Sequence, residues 1–69
     1  MVEVFKTNVR ESAEANDLVR LLIQHFPGSR VNFDLEDCDS VLRIEGGNIA
    51  AAKVMMLVNA NGFACNVLE

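Results

Sequence analysis

The fold is decided by the central stretch RVNFDLEDCDSVLRIE, residues 30–45. Residues 30–36 alternate between apolar and polar side chains, as expected for a strand with one buried face. A polar turn over residues 37–40 follows, and a second strand is predicted over residues 41–45. The positions predicted to point inward are Val31, Phe33, Leu35, Leu42 and Ile44. The stretch is therefore predicted to form a β-hairpin at the centre of the chain.

A helix is predicted on each side of this hairpin. The first spans residues 11–26, with apolar residues at helical spacing, and Pro27-Gly28 ends it. The second spans residues 49 to 60, with Asn48 as its N-cap and Asn61-Gly62 as its end. Further strands are predicted at the two ends of the chain, over residues 2–9 and 63–68. Their inward positions are Phe5, Thr7, Val9, Phe63, Cys65 and Val67.

The predicted order is strand, helix, strand, strand, helix, strand. Two helices on one face of a four-stranded antiparallel sheet form the α+β, ferredoxin-like βαββαβ sandwich. Right-handed crossovers place the strands in the order 4-1-3-2. The 69 residues are thus predicted to be one domain, residues 1–69, and the 51% hydrophobic content favours a packed core.

Composition restricts the classes of partner. The chain has ten acidic residues and only six basic ones, which are scattered along the sequence, and it has no Trp or Tyr. We therefore expect no nucleic-acid binding. No stretch approaches the roughly 20 apolar residues of a membrane span, so we expect no membrane insertion. The N-terminal residues lack the basic flank and apolar run of a signal peptide, which predicts a cytoplasmic protein.

The sequence resembles the heavy-metal-associated domain family, which includes copper chaperones. Residues 5–9, 31–35 and 41–46 look like that family's first three strands, and Asn61-Gly62-Phe63 is similar to the approach to its fourth strand. The resemblance implies the same fold. It also implies that metal chemistry would lie on the first loop, where the family places Cys-x-x-Cys.

Those two positions are Glu11 and Glu14 in this chain, so the thiolate ligands for soft metals are absent from the loop. We expect no metal or other cofactor. Acidic residues in a first helical turn interact favourably with the helix dipole, and Asn8 with Glu11 has the spacing of a capping box. The alternative is a weak hard-cation site that uses Glu11 and Glu14, with Asp37 or Asp39.

The remaining reactive side chains form no predicted active site, so we expect no enzyme. Cys38 in the hairpin turn and Cys65 on the last strand are predicted to lie on the order of 14 Å apart, too far for a disulfide. Cys65 is expected to be buried and Cys38 exposed, with an intermolecular role for Cys38 left open. The single histidine, His25, is expected at the end of the domain opposite Glu11 and Glu14.

The second predicted helix is apolar on more than one face, and Lys53 is its only charged residue. The resemblance to the heavy-metal-associated family implies that the sheet-facing positions are Ala51, Val54, Met55 and Val58. The side chains left toward solvent are Ala52, Met56 and Leu57, and a second apolar patch of Val4, Val41, Ala64 and Leu68 is expected on the open sheet face.

The sequence therefore predicts a protein-interaction or self-association module, either a homodimer or a complex with a protein partner. The alternatives are an atypical carboxylate metal carrier or sensor and, with no residue that favours it, a metabolite-binding regulatory domain.

Overall fold

A computed structural model describes residues 1–68; the predicted domain extended to residue 69, which lies outside this range. The elements are β1 (Val2–Thr7), α1 (Ser12–His25), β2 (Arg30–Asp34), β3 (Val41–Glu45), α2 (Ala51–Ala60) and β4 (Cys65–Val67). They form one four-stranded sheet in the order β2-β3-β1-β4, in which every neighbouring pair is antiparallel. The ferredoxin-like fold and the predicted strand order 4-1-3-2 are both confirmed.

The core lies between the sheet and the two helices. Alternation along β1 and β3 turns Phe5, Leu42 and Ile44 inward, and all three are fully buried. The helices cover them with side chains one turn apart, namely Ala15, Leu18 and Leu22 of α1 and Val54 and Val58 of α2. The opposite face of the sheet, called the open face below, has no covering layer among the described residues.

The two edge strands are less buried than their alternating pattern indicates. Val31 and Phe33 of β2 point inward but stay half-buried, because β2 has a neighbour on one side only. Val67 of β4 lies opposite the buried Phe5 and so points inward, as predicted. It is nevertheless 42% exposed, because it lies at the end of a three-residue edge strand. Cys65, on the same face, is buried as predicted.

Several predicted boundaries were too wide. α2 begins at Ala51 rather than at Ile49, and its N-cap is Ala50, not Asn48. Ile49 instead belongs to the core, 7% exposed, just before the helix. β4 begins at Cys65 because the preceding Phe63 N–H donates to the Val58 carbonyl of α2 at 3.3 Å and is not free for a strand.

The end of α2 depends on a glycine. The Gly62 N–H donates to the Asn59 carbonyl and the Phe63 N–H to the Val58 carbonyl, the bond pattern of a Schellman motif. Gly62 has a φ of +91°, a left-handed conformation that a side chain disfavours. The predicted stop at Asn61-Gly62 is confirmed, and this turn directs the chain into β4.

Candidate functional site

Three connections meet at one end of the domain, called the loop end below: the first loop (residues 8–11), the β2–β3 turn (residues 35–40) and the α2–β4 connection (residues 61–64). Thr7 joins the first two. Its N–H donates to the Asp39 carbonyl at 2.9 Å, and its hydroxyl donates to the Ser40 carbonyl at 2.7 Å. The same hydroxyl oxygen accepts from the Val9 N–H at 3.2 Å. β1 therefore stops at Thr7 because its last side chain bonds the turn.

Asn8 joins the first loop to the third connection. Its Oδ1 accepts a hydrogen bond from the Ala64 N–H at 2.8 Å. The predicted capping box of Asn8 and Glu11 is therefore wrong. The N-cap of α1 is Glu11, which makes no side-chain cap, and the Asn8 oxygen serves a distant backbone group instead. These bonds fix the position of the first loop against both of its neighbours.

Glu11 and Glu14 start α1. Glu11 is exposed and its carbonyl accepts the Ala15 N–H at 3.0 Å, while Glu14 lies half-buried in the first helical turn. Glu14 borders a shallow hollow together with Asp17, Leu18, Asn61 and Phe63. Neither glutamate belongs to a group of three metal-ligating side chains within residues 1–68. Glu11 at the N-cap and Glu14 in the first turn both lie at the positive end of the helix dipole, where carboxylates interact favourably.

The side chains that do come together at the loop end are Asp37, Cys38 and Asp39. One ligand atom of each lies within 4.8 Å of the others. The Asp37 Oδ1 accepts the Asp39 N–H at 2.9 Å, so the cluster follows from the tight turn itself. Cys38 is exposed, as predicted. The run Asp37-Cys38-Asp39 predicts a polar turn, and the alternative cation site predicted from the sequence added Asp37 or Asp39 to Glu11 and Glu14.

Cys65 is a free, buried thiol, 3% exposed, at the start of β4. Burial raises the pKa of this thiol to about 11, because a thiolate would lose its hydration there. At neutral pH the side chain is a small apolar group and not a nucleophile.

His25 lies at the end of the domain opposite the loop end. It borders a second shallow hollow beside Pro27, Gly28, Gly46 and Asn48. His25 is therefore far from Glu11 and Glu14, and its predicted position at the opposite end of the domain is confirmed.

The apolar surface of α2 is smaller than predicted. Ala52 is exposed and Met56 is 60% exposed, because both lie on the side of the helix opposite the buried Val54. Leu57 is half-buried and packs against the core, since it lies only about 60° from Val54 around the helix. The expectation that Leu57 is left toward solvent is corrected accordingly. Ala52 and Met56 are called the α2 patch below.

The open face carries a second apolar surface. The Leu68 N–H donates to the Val4 carbonyl at 2.9 Å, so these two side chains lie opposite each other. Val2 lies two residues before Val4 on the same face, and Val41 is diagonal to Val4 across β3. Val2 is 41% exposed, Leu68 is 36% exposed, and Val4 and Val41 are half-buried. These four residues are called the open-face strip below; Ala64, expected among them, is exposed but precedes β4.

Within residues 1–68, no helix is long and apolar enough to cross a membrane. Comparisons with protein-family models, curated proteins and solved structures found no significant match to this chain.

Proposed function

We propose that this chain is a non-enzymatic interaction module, a heavy-metal-associated-like domain that has lost its soft-metal ligands and that associates with itself or with a protein partner. The observation that carries the proposal is the open-face strip. An uncovered face of an antiparallel sheet is usually polar. Here contiguous valine and leucine side chains occupy the centre of that face on β1, β3 and the end of β4.

The α2 patch supports the same function on the other side of the domain. A methionine at 60% exposure offers an adaptable apolar side chain, and methionine is common at contact surfaces of this kind. The exposed alanine beside it leaves room for a partner side chain to approach the helix. Contiguous exposed apolar side chains, unlike scattered ones, are typical of protein-interaction sites.

The function is tested by measuring molar mass with sedimentation equilibrium from micromolar to millimolar protein, alone and with proteins recovered from a lysate. We expect a mass above that of the monomer, reduced by Leu68→Gln or Met56→Gln according to the surface used. Ala13→Gln is the control, because it changes an exposed α1 position outside both surfaces. A monomer at every concentration with no recovered partner contradicts the proposal.

A further inference from the structure

β2 is an edge strand whose backbone has a free side. The direction of its bonds follows from those of the other strands. The Gly46 N–H, just after β3, donates to the Met1 carbonyl at 3.0 Å. Backbone groups alternate in direction along a strand, so Ile44 and Leu42 also bond toward β1. The others, including Arg43, bond toward β2, where Arg43 is paired with Asn32. The N–H and C=O groups of Val31 and Phe33 therefore point out of the free edge.

The sequence of β2 is complementary to itself when read in reverse. The strand is Arg30-Val31-Asn32-Phe33-Asp34. In an antiparallel pair of two copies with Asn32 opposite the partner's Asn32, Arg30 lies opposite the partner's Asp34. Val31 then lies opposite the partner's Phe33, so each backbone group that points out of the edge meets a complementary one.

Both faces of such a pair are matched. Arg30 and Asp34 lie on the open face and are exposed, and opposite charges directly across two strands are stabilising. Within residues 1–68, neither side chain makes an ion pair; the ion pair in this part of the chain joins Arg20 and Asp17 at 3.5 Å. Asp34 uses one oxygen locally, to accept the Glu36 N–H at 3.2 Å, which leaves the other for the partner.

The helix side of the edge is apolar. A hollow of about 320 Å³ lies between α1 and β2. Its apolar lining consists of Ala15, Val19, Val31, Phe33 and Leu35. A second copy on the edge brings its own Val31 and Phe33 beside this hollow, and a two-fold axis makes the contact identical for both copies.

We propose that two copies of this chain dimerise by antiparallel pairing of β2 about a two-fold axis at Asn32, which joins two four-stranded sheets into one of eight strands. The proposal goes beyond the proposed function and rests on it, because it names a second copy as partner and the β2 edge as the surface. A slip of one residue places the outward N–H and C=O groups of Val31 and Phe33 opposite residues whose backbone groups bond β3, so the bonds across the edge are lost. A slip of two residues leaves Asp34 or Arg30 opposite a residue outside β2.

The test uses charge reversal and mixing. Arg30→Asp places two aspartates opposite each other at both ends of the pair, and Asp34→Arg places two arginines there. We expect either single variant to dimerise at least about tenfold more weakly than the wild type in sedimentation equilibrium. Arg10→Asp is the control, since it makes the same charge change on the first loop.

An equimolar mixture of the two single variants restores both ion pairs between unlike chains. We expect this mixture, and the double variant R30D/D34R, to dimerise within about threefold of the wild type. A folded variant that fails alone and dimerises when mixed supports the proposal. A wild type that stays monomeric at millimolar concentration, or a dimer unaffected by Arg30→Asp, overturns it. If that dimer is weakened by Leu68→Gln or Met56→Gln, or if a monomer binds another protein, the proposed function stands without this interface.

Discussion

The Asn8 side-chain oxygen accepts a hydrogen bond from the Ala64 N–H at 2.8 Å, across 56 positions of the sequence. It ties the first loop to the connection that enters β4. Together with the bonds from Thr7 to the β2–β3 turn, it connects all three segments of the loop end by hydrogen bonds. A loop with this role contributes to the fold whether or not it holds an ion.

Replacing Asn8 should weaken the fold. We expect Asn8→Ala to lower the free energy of unfolding by about 1 kcal/mol, the usual net contribution of one hydrogen bond. Urea unfolding measures the change, and faster hydrogen exchange at the Ala64 amide localises it. Asn16→Ala, at an exposed position of α1, is the control and should change stability less. Unchanged exchange at Ala64 contradicts the assigned bond.

Gly62, at the end of α2, should tolerate a side chain poorly. Its φ of +91° costs a non-glycine residue about 1–2 kcal/mol, so Gly62→Ala should lower the melting temperature by several degrees. Gly47→Ala is the matched control, because Gly47 has an ordinary φ and open space where a Cβ would lie. Equal losses for the two variants would refute the role of the left-handed turn.

The buried thiol predicts a loss of stability at alkaline pH. Burial raises the pKa of Cys65 from its ordinary value of 9.0, which holds in an unfolded chain, to about 11 in the folded protein. The unfolded state therefore releases this proton first, and the free energy of unfolding falls as pH rises from about 9 to 11. The fall attributable to Cys65 should reach at most about 3 kcal/mol.

Urea unfolding at several pH values from 8 to 10.5 measures this fall, with Cys38→Ser in every protein so that one thiol titrates. Adding Cys65→Ala should lower stability at pH 8 but flatten its dependence on pH. The same slope with and without Cys65 would show that other groups cause the loss.

Glu11 and Glu14 are expected to stabilise α1 and not to bind metal. The double variant Glu11→Gln with Glu14→Gln should leave the response to added Ca(II) and Zn(II) unchanged in isothermal titration calorimetry. It should lower the free energy of unfolding by about 0.6–2 kcal/mol at low salt, because two carboxylates are removed from the positive end of the helix dipole. A metal affinity that the wild type shows and the variant loses would favour the carboxylate carrier instead.

The order of elements and strands could be predicted from the sequence because each depends on local pattern and chain handedness. Leu42 and Ile44 alternate in the sequence and are both fully buried. Leu18 and Leu22 lie one helical turn apart and are both buried. Such periodicities survive folding because the sheet and helices bury whole faces at once.

The ends of the elements could not be predicted in the same way. β1 stops at Thr7 because its side chain bonds Ser40, and β4 starts late because Phe63 completes α2. The polar role of Asn8 was misassigned for the same reason, since its partner lies at the far end of the chain. Leu57 was misplaced because it lies on the flank of α2, where helical spacing does not separate partial burial from exposure.

The most direct test of the account is an amide NMR titration of the reduced protein at two concentrations, alone and with Cu(I), Zn(II), Ca(II) or Mg(II). An interaction module predicts concentration-dependent shifts along β2, the open-face strip or the α2 patch, with no saturable metal shift. Saturable shifts confined to residues 8–14 and 37–40, in a spectrum that does not change with protein concentration, would contradict it and make this chain an oxygen-ligand metal carrier.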